Sequence, residues 1–111
     1  MKKEKYLYNG FCTKVVDGDT IDVNVDLGFT VFVKIRLRLR GINTMEMSDK
    51  DPTMRVRAIA AKQFLEDRVL NENVVIESFK TDKYGRWLAD VFVGDTSMNN
   101  LLLEEGHAEP Y

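Results

Sequence analysis

From Thr30 to Leu39 the chain alternates without a break, with Val31, Val33, Ile35, Leu37 and Leu39 on one side and Phe32, Lys34, Arg36 and Arg38 on the other. A period of two over that length is a β-strand pattern, and a slip of one residue would turn the whole apolar set to water. Two shorter runs of the same kind precede it, Phe11 to Val16 and Ile21 to Val25. Asp17-Gly18-Asp19 interrupts the first pair and a turn around Asp26-Leu27-Gly28 leads into the third, so these strands read as a meander.

Residues 41 to 53 lose the alternation and carry Gly41, Asn43, Ser48, Asp49, Asp51 and Pro52, which predicts a surface loop of the kind on which function concentrates. Between about Met54 and Leu70 there is no Gly or Pro, and Ala58, Ala61, Leu65 and Val69 recur at helical spacing, flanked by Ile59 and Phe64. Asn73 to Phe79 and Trp87 to Val93 predict two further strands joined by a turn containing Tyr84-Gly85, with Trp87 expected inside the barrel. Ser97 can cap a second helix from Met98 to about Glu105, stopped by Gly106, and His107 near its end is expected at the surface. The order β-β-β-α-β-β-α is that of a mainly β fold with helices, a five-stranded OB-type Greek-key barrel, and residues 1–111 are expected to form one such domain.

At 111 residues the chain can bury one modest core, removing roughly two-thirds of the unfolded surface from water. Cys12 is the sole cysteine, so no internal disulfide and no Cys/His zinc cluster is available. That composition, with no signal-peptide-like stretch after Met1-Lys2-Lys3-Glu4-Lys5 and no segment of about 20 apolar residues, predicts a cytoplasmic protein without a membrane partner. Compact size and a lone cysteine would suit a phage or plasmid gene. The net charge of −2 and pI near 5.4 argue against nucleic-acid binding by bulk electrostatics, which scales with the phosphates neutralised. A local site is still open: Lys34, Arg36, Arg38 and Arg40 alternate along one segment, while acids gather at 46–51 and 104–109.

Three polar segments close strand-like runs: Asp17-Gly18-Asp19-Thr20, Arg38 through Glu46, and Asp82-Lys83-Tyr84-Gly85-Arg86. Taken singly they have ordinary explanations as turn chemistry, a solvated strand face and a decorated hairpin. Together they hold carboxylates for a hard cation, arginines for a phosphate and a spare glutamate for a water, the parts of a phosphodiester-cleaving site.

In that order, and from about Val15 to Ala108, these segments resemble the staphylococcal nuclease (thermonuclease) family. Val16-Asp17-Gly18-Asp19-Thr20 resembles its first active-site turn, Arg38-Leu39-Arg40-Gly41-Ile42 the strand into the second, and Thr81-Asp82-Lys83-Tyr84-Gly85-Arg86 the third. The resemblance implies a calcium-dependent nuclease that cleaves DNA and RNA by water attack on phosphorus, with single-stranded DNA or RNA as substrate. It implies Asp19, Asn43 and the Thr44 carbonyl as metal ligands and Arg38 and Arg86 on the scissile phosphate. Glu46 would be the general base, with Lys83 and Tyr84 beside the nucleotide. Calcium is the implied cofactor, with magnesium or manganese as alternatives.

Three departures from the family pattern matter. Asn43 stands where the family places an aspartate, which removes one negative charge and predicts a metal site in the weak range, Kd on the order of 10⁻⁴–10⁻³ M. Met45 replaces a usual proline before Glu46, leaving the loop backbone less restricted. The chain reaches Tyr111 before the family's last helix, so that helix is expected to be absent or trimmed. Two other readings therefore stand beside the nuclease: a catalytically weak or inactive domain that binds single-stranded nucleic acid in the same groove, and a protein-interaction module like the nuclease-like repeats of Tudor-nuclease proteins. Oligomeric state is not legible from the sequence.

Overall fold

The alternating segments fold as their period dictates. In the computed structural model, which describes residues 6–111, β1 (Tyr6–Asp17), β2 (Thr20–Asp26) and β3 (Phe32–Leu39) form the antiparallel meander. The Met1–Lys5 stretch, read above for its lack of a leader, lies outside the described residues. After α1 (Pro52–Val69), β5 (Asn73–Ser78) pairs antiparallel with the first half of β1, and β6 (Trp87–Val93) pairs with β5. The sheet then closes on itself. β6 runs parallel to the end of β3, with Leu37 opposite Trp87, Arg38 opposite Leu88 and Leu39 opposite Ala89. The result is a five-stranded closed barrel with two helices, the expected OB-type architecture.

β1 is twice as long as its alternating core suggested, because it serves two neighbours. Tyr6 to Phe11 pairs with β5, and Asn9 to Asp17 pairs with β2. Register shifts between Cys12 and Lys14 and between Val15 and Asp17 bend it around the barrel, as bulges do. Three further strands are only two residues long: β4 (Ile42–Asn43), β7 (Thr96–Ser97) and β8 (Glu109–Pro110). Two residues carry no period, so sequence pattern cannot announce them. β4 pairs with β8, Ile42 opposite Pro110 and Asn43 opposite Glu109, so part of the expected 41–53 loop is tied to the chain's last residues.

The first helix begins two residues before the expected Met54. Asp51 is its N-cap, accepting from the Thr53 N–H at 2.9 Å, and Pro52 occupies the first turn, where its missing N–H costs nothing. Its buried stripe is Ala58, Ala61, Leu65 and Val69, as the spacing predicts. The second helix, α2 (Met98–Glu104), is capped by Ser97, whose hydroxyl accepts from Asn100 N–H at 3.2 Å. Ile21, Val23, Leu39, Ile42, Leu65, Ile76, Val91 and Leu102 fill the core between barrel and helices. No helix among the described residues is long and apolar enough to cross a membrane.

Two expectations about burial fail for one reason. β6 covers β3 only at Leu37–Leu39, so the earlier half of β3 projects past the barrel. Val31 is exposed and Val33 and Ile35 are half-buried, although they continue the inward row. Trp87, at the start of the seam, is 51% exposed instead of packed inside. His107 is half-buried, its ring 4.5 Å from that of Phe64.

Candidate active site

The turn between β1 and β2 puts Asp19 inside the protein, at 3% exposure. One carboxylate oxygen accepts the Thr44 N–H at 3.0 Å and the other the Thr20 hydroxyl at 3.1 Å. The Asp19 N–H in turn donates to Asp17 at 3.1 Å. Burial pushes the Asp19 carboxyl up, but hydrogen bonds from Asp17 and Thr44 and the nearby Arg38 charge outweigh it, leaving Asp19 below the usual range. Asp17 bears the complement: burial and a hydrogen bond shared with Asp19 push it up to about 6.

Gly18 is there for space. A Cβ on it would lie 2.8 Å from the Ala61 Cβ of α1 and 3.0 Å from the Thr44 methyl. Helix and loop therefore press directly on the turn that aims Asp19.

Arg38 extends from the last stretch of β3 and is 9% exposed. Its Nη1 lies 2.9 Å from Asp19 Oδ2, and its Nη2 donates to Asn43 Oδ1 at 3.0 Å and to the Ile42 carbonyl at 3.3 Å. Asn43 and Thr44 reach this point because β4 is held by β8. The same clamp sets the Tyr111 ring 5.5 Å from the guanidinium carbon. No buried side-chain nitrogen or oxygen among the described residues lacks a partner, so this charged wall is fully satisfied.

Arg86 is built differently, by a turn that is complete in itself. Asp82 accepts the N–H groups of Tyr84 at 2.9 Å and Arg86 at 3.0 Å, and Gly85 takes the positive φ of 75° that closes the turn. The other Asp82 oxygen accepts from Arg86 Nε at 2.7 Å and also lies 2.7 Å from Nη2, so one oxygen holds two guanidinium nitrogens. Asp82 and, more weakly, the Tyr111 side chain hold Arg86 in its charged form. Tyr84 is exposed, with Arg86 5.1 Å and Lys83 5.2 Å from its ring centre.

Arg38 and Arg86 line one cavity of about 370 Å³ with Thr20, Lys34, Ile35, Arg36, Gly85 and Trp87. Arg36 is engaged by Asp22 at 2.8 Å. Five of the eight residues singled out in the sequence meet around Arg38 and its neighbours: Asp19, Arg38, Asn43 and Thr44 by direct contact, and Arg86 through the cavity. Lys83 and Tyr84 are exposed on the adjoining turn. Glu46 is exposed on the loop, its carbonyl accepting the Asp49 N–H at 3.2 Å, and it is not part of the cavity lining. The sequence reading missed Trp87 and Tyr111 as site residues. An exposed strand tryptophan and a final aromatic have no local pattern that distinguishes them from core.

For a divalent ion the donor chemistry fits, at low charge. Asp19 Oδ2 and Asn43 Oδ1 already converge on one cationic group, the Arg38 guanidinium, and both are oxygen donors of the kind a hard cation takes, while Thr44 turns its N–H to Asp19. Yet no group of three or more His, Cys, Asp or Glu among the described residues could hold a metal.

A model of staphylococcal nuclease homologues matches residues 36–111. The chain is 34% identical over 110 residues to a thermonuclease of Staphylococcus intermedius, covering 97% of this chain and 60% of that protein. It is 33% identical over 97 residues to a thermonuclease of Staphylococcus hyicus, covering 86% of this chain and 54% of that protein. To an uncharacterized protein of Methanocaldococcus jannaschii it is 30% identical over 128 residues, covering 94% of this chain and 59% of that protein. The chain thus spans little more than half the length of these relatives.

Proposed function

We propose a hydrolytic function for this chain, which belongs to the staphylococcal nuclease homologue family: metal-dependent cleavage of phosphodiester bonds in single-stranded DNA or RNA by attack of water on phosphorus. The observation that carries this reading is the pair of guanidiniums, Arg38 and Arg86, that share one cavity while each is oriented by its own carboxylate. A phosphodiester gathers negative charge on its equatorial oxygens as the fifth bond forms. Planar, permanently charged guanidiniums are suited to stabilise that charge.

In this reading Arg38 and Arg86 hold the phosphate and Asp19, Asn43 and the Thr44 carbonyl hold calcium, with magnesium or manganese as substitutes. When bound there, such an ion would supply Lewis-acid neutralisation of phosphate charge. Glu46 takes the proton of the attacking water, which requires its loop to carry the side chain inward from its exposed position. Lys83 and Tyr84 border the nucleotide. A second reading, binding of single-stranded nucleic acid without cleavage, is favoured by Asn43, whose amide oxygen brings no charge to the ion and is already occupied by Arg38.

A calcium titration of single-stranded DNA cleavage separates the two. The nuclease reading expects cutting that requires calcium, increases in Asn43→Asp at a given calcium concentration and is lost in Glu46→Ala. Absence of cutting up to about 10 mM calcium, above the weak-site range, in both the natural chain and Asn43→Asp overturns the nuclease reading; retained binding of the oligonucleotide then supports the binding reading, and its absence a protein-interaction module.

A further inference from the structure

We propose that Trp87 is a stacking platform for the base of the nucleotide whose phosphate lies between Arg38 and Arg86. The phosphate's position rests on the reading above; the stacking subsite is additional to it. Trp87 follows Arg86 in the chain and pairs across the seam with Leu37, next to Arg38, so its backbone position is within one residue of one arginine and opposite the neighbour of the other. It is half exposed although it opens a barrel strand.

Trp87 borders two cavities of different character. Trp87 lines the basic cavity with Lys34, Arg36, Arg38 and Arg86. It also lines a second recess, about 210 Å³, whose other walls include Tyr8, Val33, Ile35, Leu37 and Ile76. That recess exists because the seam ends at Leu37 and leaves the earlier half of β3 uncovered. A cationic cavity and an apolar one that share Trp87 and Ile35 in their linings match a nucleotide, an anionic phosphate attached to a planar base. The recess is smaller than the roughly 300–1,000 Å³ of pockets that take drug-sized ligands, a scale suited to one base.

Stacking carries two consequences. It tolerates any base, because every base has a π face, and it excludes a base held inside a duplex, whose faces are already covered. The acidic net charge of the protein also leaves little room for binding by bulk attraction to phosphates, so a base contact has weight here.

Trp87 is the only tryptophan in the sequence, so protein fluorescence reports on it directly. The full chain, in EDTA so that nothing is cut, is titrated with a thymidine tetranucleotide and with an abasic tetranucleotide of equal charge. Labelled oligomers and anisotropy extend the comparison to Trp87→Ala and Trp87→Phe. The proposal expects quenching by the thymidine oligomer, binding at least about fivefold tighter than the abasic one, loss of that preference in Trp87→Ala and its retention in Trp87→Phe. Equal affinity for the two oligomers, no binding of either, or a preference that survives in Trp87→Ala overturns it. Base-dependent quenching in a protein that never cuts supports the stacking subsite and removes only the hydrolytic reading. Cutting with base-independent binding does the reverse.

Discussion

The two arginine-bearing walls of the cavity reach similar ends by opposite means. The Arg38 wall is buried and non-local: Asp19 receives a hydrogen bond from Thr44, 25 residues away, and Arg38 is held by Asp19, Asn43 and Ile42. The Arg86 wall is half exposed and local, set by a carboxylate four residues earlier in a single turn. Both fix a guanidinium, but only the first makes its arginine part of the fold. A buried ion pair deprived of one partner leaves an uncompensated charge in a low-dielectric interior, whereas an exposed pair is screened by water.

The largest expected effect follows from that contrast. Arg38→Ala should lower kcat by on the order of 10² or more and destabilise the protein by about 3–5 kcal/mol, because Asp19 remains buried without its counter-charge. Arg86→Ala should lower kcat by a similar order while leaving the urea midpoint close to unchanged. Steady-state cleavage and urea unfolding on the two variants test this together; equal losses of stability would erase the distinction between the walls.

A smaller effect probes how tightly the buried wall is braced. Gly18→Ala should cost about 1–3 kcal/mol, since its Cβ has no room against Ala61 and Thr44, and should reduce activity more than a comparable overpacking elsewhere by displacing Asp19. An Ala variant of native stability would mean that helix and turn are not in firm contact.

The smallest effect concerns pH and sharpens the electrostatics of the same wall. Asp17 binds its proton more tightly folded, near pH 6, than at its ordinary value of 3.8, so its contribution to stability is present at low pH and is lost as pH rises through about 6. Asp19, Asp22 and Asp82 are shifted the other way, so their contributions are lost as pH falls through the acid range. In EDTA, the natural chain's stability relative to Asp17→Asn should therefore decline between pH 4 and 7. Urea unfolding across that range checks it, and a difference that is flat with pH would show that burial and the pairing with Asp19 do not raise Asp17.

What the sequence determined by itself is what neighbours along the chain decide. Period two marked the faces of the meander, period 3.6 marked Ala58, Ala61, Leu65 and Val69 as the buried stripe of α1, and the Asp82 to Gly85 spacing marked a turn that completes its own hydrogen bonds. The order of three motifs also carried the family, since motif order is a property of the chain. The tertiary structure alone decided which strands meet and what they leave open. The parallel seam at Leu37–Leu39, the two-residue clamp of β4 on β8, and Asn99, buried to accept from Val91 N–H at 3.0 Å and donate to the Arg40 carbonyl at 2.8 Å, join segments far apart in the chain. A strand's period tells which way its side chains face but not how far its neighbour extends beside it. That is why Trp87 reads as core from the sequence and is exposed beside the arginines, and why the amide of Asn43 is already paired with Arg38.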